Sequence, residues 1–525
     1  MSEKKIEQNM ILCCIIFAVY AVLTLIGAAN HELWFDEAQA WTIARDNDIA
    51  GILDQLRFEG HPPLWYLILF VPSHMGLPCT VMPYISWFIT AIAGAIIMFK
   101  APFNIAARAV VLFSGGFLFV NSVMSRVYCL INLIAVLTAL LYPKRKEHPV
   151  LYGFLIALLA NTHICMSGFI GIIGIFMLID LFSNFRSKSI KQKAGEITGL
   201  FIAGAGVLIL VIPLINALSL NSFTSDTTFS LWIGISSVFE SFFNISYALF
   251  NYGQPYKGAA AALLYFGGYI LAGIMAAALV IMIIIMHRKT RPFLMLVFFW
   301  AFYAVTTEVL WLTIPNRANI FVLMYFIIAW ISEYEPQNNS ADLWSKIDLK
   351  AETAAIQKLI GAIKSLDTGF MKSYIPVMTA VMLISVPVGA YYLFSDYAKD
   401  FCPSETAAEY IRSNFPEDSI FITDGDNCPQ LAAYLPEYKF YSVGYGRYYT
   451  YMSHEKSGGV YYKDIYDDLK EYNDLYYLYV ASDIGYIPNN REIIYTLRDG
   501  IPYSSNILYI EISAFDLEKE IGSNI

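Results

Sequence analysis

Apolar stretches near the length needed to span a hydrocarbon core of about 30 Å recur along most of the chain, separated by short connectors that hold most of its charge. Assigning the basic connectors to the cytoplasmic side fixes where the spans fall. Those connectors are Lys100, Lys144 to Lys146, Arg186 to Lys193, His287 to Arg291 and the long segment from Glu333 to Lys372. The pattern then predicts eleven spans, at 10–29, 82–99, 105–121, 128–142, 149–161, 164–182, 197–216, 258–286, 292–313, 318–333 and 373–394, with the N-terminus inside and the C-terminus outside. Two apolar segments fall outside this parity, 62–77 and 231–250. The first is short and broken by Pro72 and His74, the second carries Glu240, and both read as helices lying in or dipping into the outer interface. The leading residues Met1 to Gln8 are polar, with Lys4 and Lys5, and no convincing cleavage site precedes Asn30, so the first span is expected to stay as a signal anchor.

Beyond residue 395 the long apolar runs give way to short alternations. Ser404 is placed to cap a helix through Phe415, while 419–423, 439–443, 475–480 and 507–512 read as strands and 428–434 as helical. Helices alternating with strands predict a small α/β domain at 395–525 on the extracytoplasmic side. It follows a transmembrane domain at 1–394, in which 30–81 forms the outer loop and 334–372 a cytoplasmic connector. The Tyr-rich stretch Tyr441 to Tyr451 fits either a half-buried loop or a surface on which a sugar stacks.

Composition agrees with this division. The chain has 525 residues, is 57% hydrophobic and only 15% charged, and its mean hydropathy of +0.52 belongs to a polytopic membrane protein. Charge separates the two sides. Residues 30–61 hold seven carboxylates against two arginines, and 395–525 hold 22 against 10 basic residues, so the formal net charge of −9 belongs to the exterior. That distribution gives no support to a nucleic-acid partner. The seven cysteines lack metal-type spacing; only Cys402 and Cys428 lie in the outward domain, where a disulfide between them stays open.

The chemistry collects in the outer loops. The first offers Asp36, Glu37 and His61, within Trp34-Phe35-Asp36-Glu37 and His61-Pro62-Pro63; the second offers Asn121, Ser125, Arg126 and Tyr128; the third Asn161, Thr162 and His163; a later one Pro315, Asn316 and Arg317. An acid flanked by arginines at a membrane surface suits a reaction between an acceptor hydroxyl and an anionic lipid headgroup. Each residue also has a plainer reading. Asp36 and Glu37 as solvated loop carboxylates are disfavoured by Trp34, Phe35 and Trp41, which anchor the loop at the interface. Arg126 and Arg317 read either as arginines snorkelling to headgroups or as specific phosphate ligands, the latter favoured by their position against the positive-inside trend. His163 fits a satisfied polar helix end as well as a substrate contact, and His61 a cap for the turn that Pro62 and Pro63 impose.

Taken in order, the aromatic-Asp-Glu motif, the His-Pro-Pro-Leu after it, the Ser-Arg-x-Tyr of the second outer loop and the Asn-Thr-His of the third resemble the GT-C fold membrane glycosyltransferases. The resemblance covers about residues 10–335 and is narrower to the branch of protein O-mannosyltransferases, lipid A aminoarabinose transferases and related polyprenyl-phosphate sugar transferases. It implies transfer of a sugar from a polyprenyl-phosphate carrier to a cell-envelope acceptor (glycan, lipid or protein) on the outer face of a bacterial plasma membrane, with inversion. It further implies Asp36 as the general base with Glu37 beside it, Arg126 and Arg317 on the donor phosphate, and His61, Tyr128 and His163 around the substrate. No cofactor is certain; some GT-C enzymes use a divalent cation, and the sequence shows no dedicated ligand cluster. A membrane transporter or flippase of envelope precursors is the alternative, disfavoured by the lack of an internal repeat and of mid-span charge other than Glu308.

Overall fold

The computed structural model describes residues 3–59, 61–219, 289–306, 315–336, 375–425, 428–453, 466–481, 492–499 and 508–523, with scattered positions between 270 and 286. Glu3–Asn30 (α1) is followed by three shorter helices that fill the segment before α5, Phe35–Asp46 (α2), Ile49–Glu59 (α3) and Leu64–His74 (α4). The bundle continues with Met82–Lys100 (α5), Ile105–Leu112 (α6), Tyr128–Leu141 (α7), Pro149–Ala160 (α8), Ser167–Phe182 (α9), Ile190–Ser219 (α10), Thr290–Val305 (α11), Pro315–Ser332 (α12) and Ile375–Ala398 (α13). Among the described residues, five stretches are long and apolar enough to cross a membrane: Glu7–Asn30, Cys79–Lys100, Ile164–Phe182, Ile190–Val211 and Ile375–Ala398. Helices α4, α7, α8, α11 and α12 are apolar but shorter. The segment expected at 231–250 lies outside the described residues, as do most of the span at 258–286 and of the connector at 334–372.

Burial sorts the helices. From Ala318 to Ser332 every residue of α12 is buried, which its uniformly apolar sequence requires of a helix enclosed on all sides. Helices α7, α11 and α13 pack around it. Helix α1 sits at the rim with Met10, Ile11, Ile15, Val19 and Val22 exposed, an apolar face suited to lipid.

The expected span at 105–121 is not one helix. Helix α6 stops at Leu112, and Gly116–Val120 follows as a single π-type turn. Two glycines explain the break. A Cβ on Gly389 of α13 would lie 2.6 Å from the Cα of Gly115, so the two backbones touch where any larger residue would part them. The amide groups freed by the break find side-chain partners: Gly115 N–H donates to Ser385 Oγ at 3.2 Å, and Tyr20 donates to the Phe117 carbonyl at 3.0 Å. Thr90 and Ser86 of α5 donate to the carbonyls of Asn121 (2.5 Å) and Met124 (3.0 Å). Residues 115–124 are thereby clamped to α1, α5 and α13.

The C-terminal domain comprises Ser404–Asn414 (α14), Ile420–Thr423 (β1), Pro429–Tyr434 (α15), Lys439–Ser442 (β2), Arg447–Tyr448 (β3), Tyr466–Leu469 (α16), Leu475–Ala481 (β4), Ile493–Asp499 (β5), Leu508–Ala514 (β6) and Leu517–Ser523 (α17). Its sheet has the order β3-β2-β1-β4-β6-β5. The central β1 pairs parallel with β2 (Ile420 opposite Lys439) and with β4 (Ile420 opposite Leu475), and the remaining pairs are antiparallel. Side chains of β1 alternate between two cores, Phe421 against Phe415, Tyr438 and Phe440 on one face, Ile420 and Ile422 with Tyr441 and Leu475 on the other.

Four details correct or complete the expectations. Ser404 is the first helical residue of α14 and caps nothing; Pro403 precedes the helix without a side-chain bond. Cys402 and Cys428 are both buried and are not joined by a disulfide, and Cys402 Sγ contacts Ser404 Oγ at 3.0 Å. Strands β3 and β5 had no clear alternation to announce them: β3 has two residues, and β5 lies at the sheet edge with most of its side chains exposed. The Tyr-rich stretch divides, with Tyr441 and Tyr449 buried in the domain and Tyr448 exposed.

Candidate functional site

The loop motif folds into α2 because Glu37 turns back on its own backbone. Its Oε2 accepts from Trp34 N–H at 3.0 Å, satisfying one of the amides that a helix start leaves open. The same carboxylate is wholly buried and accepts from the amide of Ser125, which joins the first outer loop to the second. His31 Nε2 lies 3.1 Å from both Glu37 oxygens, and His31 Nδ1 lies 2.9 Å from Asp396 Oδ2 near the end of α13. Two buried carboxylates thus share one imidazole. Burial works against charge on that imidazole, yet Glu37 and Asp396 outweigh it and raise His31 to about 10. Beside it, burial and the neighbouring Asp400 and Glu405 carboxylates push Glu32 up to about 8.

With Glu37 committed to this network, Asp36 points the other way. Its carboxylate forms an ion pair with Arg126, the arginine side chain mostly enclosed at 12% exposure and the aspartate open at 42%. His61, Tyr66 and Tyr128 stand within electrostatic reach of the pair, and His163 within reach of Arg126 and Arg317. The His61 and His163 rings are 6.3 Å apart, and Tyr128 lies 6.0 Å from His163. Residues of all four loops therefore meet at one place.

The two histidines are set as opposite tautomers. His61 Nδ1 donates to the Glu59 carbonyl at 2.7 Å, so the neutral ring has its lone pair on Nε2. His163 Nδ1 accepts from Cys165 N–H at 3.1 Å, so the neutral ring carries its proton on Nε2. Both are held below the ordinary imidazole range, chiefly by desolvation and by nearby cations: Arg126 for His61, and Arg317 and Arg126 for His163. At neutral pH the pair supplies one acceptor and one donor, a combination suited to hydroxyls.

The C-terminal domain reaches the same helix. Leu33 N–H donates to Tyr434 Oη at 2.8 Å, Arg45 donates to the Ala432 carbonyl at 3.0 Å, and the Gln39 amide accepts from Met452 N–H (2.8 Å) while donating to the Met452 carbonyl (2.7 Å). Gln39 also donates to Glu59 Oε1 at 2.8 Å, which ties α2 to the segment before His61.

Of the residues singled out from the sequence, Asp36, His61, Arg126, Tyr128, His163 and Arg317 come within reach of one another, whereas Asn121 donates to Asn132 at 2.9 Å and Asn161 to the Ala157 and Gly206 carbonyls at 2.9 and 3.0 Å. Glu37 differs in character from Asp36, since its oxygens are spent on the Trp34 and Ser125 amides and on His31. The sequence reading missed His31, Asp396, Gln39 and Glu59 as members. Asp396 lies just past the last span read from the sequence, 373–394, and His31 meets it across 365 positions, beyond any local pattern. No group of three or more His, Cys, Asp or Glu among the described residues is arranged to hold a metal ion.

The imidazole network gives a pH prediction. The folded loop keeps a His31 proton that the unfolded chain releases near 6.5, so the stability this adds is complete below about 6.5 and is lost as pH rises toward about 10. His31→Gln should cost about 3–5 kcal/mol at low pH, as expected when one partner of a buried ionic network is removed. The melting-temperature gap between wild type and variant should narrow between about pH 6 and pH 10. A gap that stays constant over that range would refute a charged His31.

No family model matches the chain, and a search of curated proteins finds no match. Among solved structures, ArnT from Cupriavidus metallidurans bound to undecaprenyl phosphate is similar over 96% of this chain and 98% of that one, at 14% identity and a TM-score of 0.45.

Proposed function

We propose that this chain is an inverting membrane glycosyltransferase that moves a sugar from a polyprenyl-phosphate carrier to a hydroxyl acceptor on the outer face of the membrane. The observation that carries the reading is the Asp36–Arg126 pair, an accessible carboxylate on an enclosed arginine. In this reading Asp36 removes the acceptor proton as the acceptor oxygen bonds to the anomeric carbon. The bond from that carbon to the phosphate oxygen breaks, and the polyprenyl phosphate departs with the electron pair. Arg126 and Arg317 balance the phosphate charge, as a fork of N–H donors does best. Glu37, with His31 and Asp396, fixes the turn that aims Asp36. His61, Tyr128 and His163 line the substrate and contribute hydrogen bonds to sugar or acceptor hydroxyls. The leaving group is already a phosphate ester, so the reaction needs neither a nucleotide nor a Gly-rich loop.

The test is direct. Full-length protein incubated with a labelled polyprenyl-phosphate sugar and an envelope acceptor should release free polyprenyl phosphate in proportion to labelled acceptor. No release, combined with movement of the intact lipid across reconstituted vesicles, would establish a transporter instead.

A further inference from the structure

We propose a second binding site, for the phosphate headgroup and upper acyl chain of an anionic phospholipid, in the cleft between α8 and α10 at the end of the bundle away from Asp36. Helix α8 leads at its C-terminal end to His163 in the cluster above, and its 12 residues carry the chain about 18 Å to the opposite end at Pro149. There a cavity of about 960 Å³ opens between the connector before α8 and the start of α10. The volume suits a headgroup with the first part of its chains.

The lining has two tiers. Lys146 and Lys191 supply positive charge, with Ser189 and Gln192 as further polar partners and Glu147 as the one carboxylate in the lining. Below them run Val150, Leu151 and Phe154, residues that are 41%, 52% and 50% exposed on the face of α8 opposite its buried side. The opposite side of α8, with Tyr152, Leu155, Ile156 and Leu159, is buried. A free phosphate ion would use only the upper tier. A phospholipid uses both, because its phosphate meets the lysines while its chain follows the apolar stripe into the bilayer.

The cleft is held open by backbone contact. A Cβ on Gly153 would stand 2.0 Å from the Gly199 carbonyl oxygen, and one on Gly199 would stand 2.2 Å from that of Pro149. With α8 and α10 so closely crossed, neither can move inward to fill the space. Lys146 is also fixed in place, its Nζ 3.1 Å from Asp180 Oδ1 with 58% of the side chain exposed. This inference is independent of the proposed reaction.

Native mass spectrometry of the full-length protein in mild detergent, titrated with phosphatidylglycerol or phosphatidylcholine, tests it. The anionic lipid should bind about 10- to 30-fold more tightly, as two lysines near a membrane surface would produce. Lys191→Gln should remove most of that preference, and Leu151→Trp should weaken both lipids by filling the apolar tier. Neither substitution touches a buried partner, so a variant that fails to fold is not expected; Lys146→Gln is a third check. Inorganic phosphate at millimolar concentration should leave bound lipid in place. Equal binding of the two lipids, an unchanged preference in Lys191→Gln, or displacement by inorganic phosphate would each overturn the proposal.

Discussion

Asp36→Asn should lower turnover by about 10²- to 10⁴-fold, the range that a positioned general base contributes, while expression and melting temperature stay near wild type. The two effects separate because of where the residue sits. Asparagine has the shape of aspartate and retains an oxygen to accept from Arg126, but it cannot take the acceptor proton. The side chain is 42% exposed, so little folding energy depends on its charge. The contrasting variant is Glu37→Gln. Its parent is fully enclosed and accepts from two backbone amides and from His31, so the amide would leave His31 facing a donor and loosen α2. That variant should lose stability together with activity. Release of polyprenyl phosphate at saturating donor measures the first effect and thermal unfolding the second. Turnover near wild type in Asp36→Asn would remove the base assignment; a stable, inactive Glu37→Gln would shift it to Glu37.

Period and charge carried the sequence reading a long way in the apolar bundle. Runs such as Ile190–Val211 and Glu7–Asn30 declare themselves because their length and hydropathy are local properties. The break after Leu112 was hidden, since Ser114-Gly115-Gly116 is compatible with a membrane helix until Gly389 meets it from a helix some 270 residues away in sequence. In the C-terminal domain, buried strands such as Ile420–Thr423 were visible, and the short or exposed β3 and β5 were not. The candidate site shows the same limit. Residue types and loop order brought Asp36, Arg126, His61, His163 and Arg317 to one face, but only the resemblance, and no local physical signal, set Asp36 apart from Glu37. Their roles diverge through Ser125, His31 and Asp396, contacts that exist only in the folded chain.

Arg126→Ala should reduce kcat/KM for the lipid donor by about 10²- to 10³-fold, the equivalent of two charge-assisted hydrogen bonds to phosphate. Lysine at this position keeps the charge but loses the planar fork, so Arg126→Lys should recover only part of the loss. The ion pair adds a second consequence. In the structure Arg126 is held by Asp36, so an incoming donor phosphate competes for the same guanidinium. As the phosphate takes over that contact, the Asp36 oxygens are released toward the acceptor hydroxyl, which makes donor binding a condition for base function. Steady-state kinetics should accordingly show ordered addition, donor before acceptor, with free polyprenyl phosphate competing against the donor. Arg126→Ala breaks the link, because Asp36 no longer has to be released. The variant should bind acceptor without donor more tightly than donor-free wild type does. Unchanged donor affinity in Arg126→Ala would sink the phosphate assignment. Equal acceptor binding to donor-free wild type and variant would leave that assignment standing and remove only the ordered release of Asp36.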